Sequence, residues 1–224
     1  MKRISFHLLA LLFVLSLSLT GCSSTGNAVI TKLNDADVKI KSIAICPFQE
    51  ARMEDVQVKG ATPSIYPALF KLETNDIDPA CVITKMFEDK LLISRKWNVV
   101  SPIKTGNAFR KTTNGSIDAN MQNVVKKLGQ QLGVDAVLIG YLYRWQERQG
   151  VWYSVKHPAS VAFEVHLYSV ANGTVIWKGL FNQTQKSLTE NILNIGYFVK
   201  KGGQWIAIEE LVDDGIDEMI EEMP

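Results

Sequence analysis

The residue with the most definite chemistry is a thiol. Cys22 follows Leu19, Thr20 and Gly21, which end an apolar run over residues 8–19 behind Lys2 and Arg3. A basic tip, an apolar stretch shorter than a membrane span and small residues at its end describe a secretory signal peptide. A cut before Cys22 leaves that residue as the new amino terminus, with its sulfur available for modification. Other reactive constellations are scarce. His157 and His166 are the only imidazoles beyond the signal; His157 precedes Pro158 in a loop, and His166 falls on the polar face of a strand. There is no G-x-S-x-G elbow, no H-E-x-x-H pair and no cysteine pair at metal spacing. Residues 106–112 follow a strand as a phosphate loop would, but they lack the second glycine before the lysine. A hydrolase needs a nucleophile and a base in reach of each other, and no such pair can be placed. The expectation is a non-enzymatic protein with no cofactor and no metal.

The four residues Leu19 to Cys22 resemble a bacterial lipobox. In the lipoproteins that carry it, the cysteine is triacylated, palmitate being among the chains. One acyl chain binds a bilayer only marginally, each buried methylene contributing about 0.8 kcal/mol, whereas several chains anchor stably. Ser23 follows the cysteine; in that family an aspartate there retains the product in the inner membrane, and serine does not. The resemblance implies a protein anchored to the outer membrane and facing the periplasm. Residues 1–21 are then the signal peptide, 22–36 the lipidated cysteine and a flexible tether, and 37–224 a folded domain.

Charge and length bound the partners. The chain has 224 residues and a formal charge of +1, and Lys2 and Arg3 leave with the signal. A nearly neutral mature chain of about two hundred residues is large enough for a single core. It lacks the positive field that nucleic acid or broad electrostatic membrane binding requires. No second apolar run approaches membrane length, so Cys22 is the one membrane contact expected. Of the three cysteines, Cys46 and Cys81 remain in an oxidising compartment. They are a candidate disulfide, the alternative being two buried small hydrophobes.

Two stretches suggest binding. Residues 145–160 carry Trp145, Arg148, Trp152 and Tyr153, side chains that bury much area with few rotors and so anchor interfaces. Trp145 and Tyr153 serve equally well to close the edge of the core. The second stretch is the last helix, where Glu209, Glu210, Asp213, Asp214, Asp217, Glu218, Glu221 and Glu222 recur in pairs without a basic residue among them. Like charges four apart on a helix repel by a few tenths of a kcal/mol each. Such a helix presents either a solvated face or a surface for a basic partner. No EF-hand-like loop points to calcium.

The elements that position these residues follow from periodicity. Residues 38–46 form a short buried strand ended by Pro47. The long connection 49–76 has no steady period. Asp78-Pro79 starts a helix with the carboxylate as N-cap; Val82, Ile83, Met86, Phe87 and Leu91 recur along it to about Arg95. Residues 97–100 form a strand ended by Pro102, and a loop runs on to Gly115. Ser116 or Asp118 caps a further helix with a stripe of Ile117, Met121, Val124, Val125, Leu128 and Leu132, closed by Gly133. Residues 135–145 are apolar on both faces and belong in the middle of a sheet. Two strands, 161–170 and 174–183, turn at Ala171-Asn172-Gly173-Thr174. Residues 188–199 have helical spacing, and 205–223 form the final helix.

The pieces KSIAICPF, WNVVSP, GQQLGVDAVLIGYLYRW and VHLYSVANGTVIWKG, spanning Lys41 to about Leu180, resemble a group of periplasmic lipoproteins. That group includes the TolB amino-terminal domain, the curli-secretion lipoprotein CsgG and the cell-wall activator LpoB. Its first strand ends in proline-phenylalanine, here Pro47-Phe48, and its hairpin closes on a tryptophan, here Trp177. Asn172-Gly173-Thr174 replaces the group's more usual Thr-Gly. The resemblance implies an α/β fold: a single domain with a mixed sheet of about five strands and helices packed on it. It also implies an accessory subunit of an envelope assembly, secretion or cell-wall machine, with periplasmic or outer-membrane proteins as partners and homo-oligomerisation left open. The alternative class is an auxiliary of an envelope transport system that handles an apolar ligand, for which a large apolar pocket would speak.

Overall fold

Strand β5 (Ala136–Gln146) is the axis of the computed structural model, which describes residues 28–33, 39–50, 78–113, 120–151, 154–185 and 207–224. The other described elements are β1 (Ala28–Lys32), β2 (Ser42–Ile45), β3 (Gln49–Glu50), α1 (Pro79–Ser94), β4 (Asn98–Val100), α2 (Pro102–Thr113), α3 (Met121–Leu132), β6 (Gln149–Val151), β7 (Ser154–His157), β8 (Ser160–Ser169), β9 (Val175–Thr184) and α4 (Ile208–Glu222). Seven strands form one mixed sheet in the order β1-β9-β8-β5-β2-β4, with β3 beside β5. β2, β3 and β4 run parallel to their neighbours, while β8, β9 and β1 are antiparallel. The α/β fold expected from the residues and the motifs is therefore present, with seven strands rather than about five.

Each face of the sheet is closed by a helix pair. On one face Ile43, Leu138, Phe163, Trp177 and Phe181 pack against Ile83, Phe87 and Leu91 of α1 and Leu211, Ile216 and Met219 of α4. On the other, Ala44, Cys46, Val137, Ile139 and Tyr141 pack with Ala108 of α2 and Val125 and Leu128 of α3. A strand covered on both sides should be apolar on both sides, which is why β5 carries Val137 and Ile139 as well as Leu138 and Leu142. Pro47 interrupts the ladder between β2 and β3, since it has no N–H to donate. The chain resumes with Phe48, whose ring lies over Gly140. A Cβ on that glycine would sit 2.3 Å from the ring. In α4 a Cβ on Gly215 would meet the Phe181 ring at 2.7 Å, so this mid-helix glycine admits close helix-on-sheet contact.

Local signals hold where the physics is local. The Asp78 side chain accepts from the Ala80 N–H at 2.9 Å, and α1 ends at Arg95, whose φ is 53°. Gly133 closes α3 with φ 68°. The expected caps Ser116 and Asp118 lie outside the described residues; α3 starts at Met121 with Asn120 as its N-cap. The helical spacing at 188–199 and the bulk of 49–76 also fall outside.

Four expectations are corrected. Residues 102–113, read as loop, are helix α2: Pro102 takes the first turn, and the Thr105 N–H donates to the Ser101 carbonyl at 3.0 Å. Its buried side is only Pro102, Thr105 and Ala108, while Ile103 is 79% exposed, so no apolar stripe marks it. Part of the stretch read as a flexible tether over 22–36 is strand, because Ala28–Lys32 pair with β9 from Ala28↔Phe181 to Lys32↔Trp177. The β8 face read as polar is covered: His166 is 1% exposed and Tyr168 is buried. Finally, Cys46 and Cys81 are free thiols. Cys46 is buried on the α2–α3 side of the sheet, whereas Cys81 is exposed on the first turn of α1, which packs on the opposite side.

Candidate functional site

The stretch singled out for binding includes a small sheet of its own. Among the described residues β6 and β7 pair with each other and with no other strand, as a two-stranded ribbon that follows β5 and precedes β8 and serves as an arm of the sheet. In the sequence, Trp152 and Tyr153 join the two strands; both lie outside the described residues. Trp145 stands opposite Val161 and is half-buried against the core, so this ring closes the core edge. Arg148, between β5 and β6, is partly exposed. The base of the arm is pinned by Arg144, whose guanidinium donates to the Val161 carbonyl at 3.3 Å and to Asn182 Oδ1 at 2.5 Å. A register shift between Leu142 and Arg144 accompanies this contact, as bulges do where a strand is re-aimed. Cys22 also lies outside the described residues.

A polar cluster that the residues alone did not reveal sits on the α2–α3 face of the sheet. The register places Tyr141 opposite Glu164 and Ile139 opposite His166. Tyr143 Oη donates to Glu164 Oε2 at 2.7 Å, and His166 Nε2 meets Glu164 Oε1 at 2.7 Å. Burial alone would raise the Glu164 pKa, but the bonds from His166 and Tyr143 outweigh it and hold the carboxyl below its ordinary value. An ionised Glu164 is an acceptor only, so His166 places its proton on Nε2. Burial, and then the bond to Glu164, raises the Tyr143 phenol; burial pushes Tyr168 up to about 12 and Tyr141 well above the ordinary value. His166 Nδ1 has no hydrogen-bond partner among the described residues. The alternation of tyrosines at 141 and 143, and of Glu, His and Tyr at 164, 166 and 168, was visible in the chain. Its meaning depended on the β5–β8 register.

At least four of the eight carboxylates singled out on the last helix have partners within the molecule. Lys90 of α1 donates to Asp213 Oδ2 at 2.9 Å and Asp217 Oδ2 at 2.8 Å. Glu218 accepts from the Ala28 N–H at 2.9 Å, and Lys32 pairs with Glu222 at 3.6 Å. The Lys96 ammonium donates to the Ile220 carbonyl at 3.0 Å, where a cation complements the helix C-terminus. The basic complement is thus carried by α1, β1 and the α1–β4 turn. A second carboxylate clamp joins β2 to β5. Asp135 Oδ2 accepts from the N–H groups of Lys41 at 2.9 Å and Ser42 at 3.0 Å, and from Ser42 Oγ at 2.9 Å. The Lys41 bond, followed by the Ser42 hydroxyl, lowers the Asp135 pKa.

Among the described residues, no group of three or more His, Cys, Asp and Glu is arranged to hold a metal, and no helix is long and apolar enough to cross a membrane. No family model and no curated protein matches the chain. Solved structures do. The PelC dodecamer from Paraburkholderia phytofirmans is similar at 12% identity and a TM-score of 0.41, over 84% of this chain and 96% of that one. Lipoprotein GNA1162 from Neisseria meningitidis is similar at 15% identity and 0.40, over 73% and 98%. The LpoB C-terminal domain from Escherichia coli is similar at 15% and 0.40, over 68% and 88%. LpoB, named by the sequence motifs, is thus among the solved structures that this chain resembles.

Proposed function

We propose that this chain is a lipoprotein held by acylated Cys22 on the periplasmic face of the outer membrane. There it acts as a non-enzymatic, protein-binding accessory subunit of an envelope assembly, secretion or cell-wall machine. The observation that carries this proposal is Leu19-Thr20-Gly21-Cys22 behind a basic tip and a short apolar run. The thiol supplies an anchor, and Ser23 leaves it free to travel outward. Binding is supported by the β6–β7 ribbon, which stands apart from the main sheet and is joined in the sequence by an adjacent tryptophan and tyrosine. Rigid aromatics on an arm are suited to bury area against a partner with little entropy cost. Arg148 lies at the same end of the sheet, and Trp145 belongs to the base of the arm rather than to its contact surface.

The test is in-cell cross-linking followed by affinity capture of the acylated protein, comparing wild type with Trp152→Ala. The partner yield should fall about tenfold, the effect of losing roughly 1.4 kcal/mol at an interface hot spot. The far-UV circular dichroism should not change. Unchanged capture would remove the arm from the interface. A Cys22→Ser protein that still fractionates with the outer membrane would overturn the anchor.

A further inference from the structure

We propose that the outer strip along β1, formed by Val29, Leu33 just after the strand, and Leu180 of β9 beside Val29, rests on the bilayer that holds the acylated amino terminus. This inference rests on the anchoring proposed above and specifies the orientation of the anchored domain.

The first observation is distance. The sheet begins at Ala28, only residues 23–27 separate it from Cys22, and a fully extended chain of that length reaches about 20 Å. A domain of this size is about 40 Å across. The body therefore cannot stand away from the membrane by more than about half its own width, and β1 is the described element nearest the anchor in sequence.

The second observation is the surface that β1 presents. It is the last strand on its side of the sheet, and its two faces differ. Ala28 and Ile30 turn inward against the core. Val29 and Leu33 are 65% and 46% exposed, although both are apolar. The register sets Val29 beside Leu180 and Thr31 beside Lys178, both partly exposed. The result is a short apolar strip, interrupted by Thr31 and with one cation at its side, on the strand that ends the sheet among the described residues, an edge of the kind that proteins normally cover.

Charge selects which side faces the lipid. On the inward side of β1 lies the C-terminal half of α4, with Glu218 bonded to the Ala28 N–H and Glu222 paired with Lys32. Anionic phospholipid would repel that side, whereas the Val29 side brings apolar surface and Lys178, and the one carboxylate beside Leu180, Glu164, is tied up by Tyr143 and His166. Ile93 of α1 and Ile103 of α2 are more exposed, at 74% and 79%, but they flank β4, at the opposite end of the sheet from β1. They serve as internal controls for exposure without proximity.

The experiment uses the native acylated protein, purified from envelopes and weighed intact. It is reconstituted into vesicles of phosphatidylethanolamine and phosphatidylglycerol doped with a phospholipid that carries a diazirine in its acyl chain. After irradiation, labelled positions are mapped by mass spectrometry. Labelling at Val29 and Leu33 should exceed that at Ile93 and Ile103 by about tenfold, because interfacial contact reaches the acyl boundary and mere exposure does not. The double substitution Val29→Glu with Leu33→Glu should abolish the excess while the intact mass still shows the acyl chains. Equal labelling at all four positions, or none at β1, overturns the orientation and leaves the anchor intact. If β1 is unlabelled and instead cross-links to β1 of another molecule, the strip belongs to a second copy of the chain. An intact mass without acyl chains overturns the anchor and the orientation together.

Discussion

Removing the carboxylate at position 164 tests the buried cluster most directly. Glu164→Ala leaves two donors, the Tyr143 hydroxyl and the His166 ring N–H, without the acceptor they share at 2.7 Å. His166 is 1% exposed, so water cannot readily replace the lost bond. Each buried donor left unsatisfied costs about 1–3 kcal/mol, which puts the expected loss of stability at about 3 kcal/mol. For a chain of this length that lowers the melting temperature by about 6–12 °C. Urea unfolding followed by far-UV circular dichroism would measure it on the mature chain. Glu164→Gln keeps one acceptor oxygen and its amide can donate to a His166 tautomer, so it should cost about 1 kcal/mol. A double-mutant cycle with Tyr143→Phe should return a coupling of about 1–2 kcal/mol. The pH dependence has a definite sign. The folded Glu164 pKa is depressed, so its contribution is full above the unfolded carboxylate value and disappears as pH falls through the lower, folded value. The gap between wild type and Glu164→Ala should therefore narrow below about pH 4. A Glu164→Ala protein within about 0.5 kcal/mol of wild type at pH 7, or a cycle with no coupling, would refute the assignment of a buried, charge-assisted network.

Three further outcomes follow from the packing and the clamps. Gly140→Ala drives a Cβ to 2.3 Å from the Phe48 ring and should destabilise the fold by about 1–3 kcal/mol in chemical denaturation, with partial rescue by Phe48→Leu. In the acylated protein only Cys81 should react with a thiol reagent under native conditions. Cys46 is buried and its thiol is pushed up to about 12, so it should titrate only after unfolding. Asp135→Asn removes a carboxylate whose pKa is depressed by the Lys41 N–H and Ser42. It should therefore cost stability at neutral pH and nothing once the wild-type carboxyl is protonated, as a pH series of melts would show.

What was legible in the chain was decided within a few residues. Asp78 capping its own helix, Gly133 with positive φ, the Asn172-Gly173 turn and the stripe of α4 each depend on neighbours one turn or one hairpin away. Sequence alone therefore determined them, along with the double-sided apolar character of β5. Tertiary structure decided the rest. Helix α2 buries Pro102, Thr105 and Ala108 rather than a large apolar stripe, so its helicity depends on α3 and β2 beside it, not on its own periodicity. β1 is five residues long, and its partner, β9, begins at Val175, a pairing too remote for any local pattern to announce. Lys90 finds Asp213 and Asp217 only because α1 and α4 share one face of the sheet, and Cys46 misses Cys81 because they lie on opposite faces. The cluster of Glu164 with Tyr143 and His166 waits on the β5–β8 register and its bulge. A side chain's place along a strand is set by its own alternation, but what stands across from it is set by where a distant strand aligns.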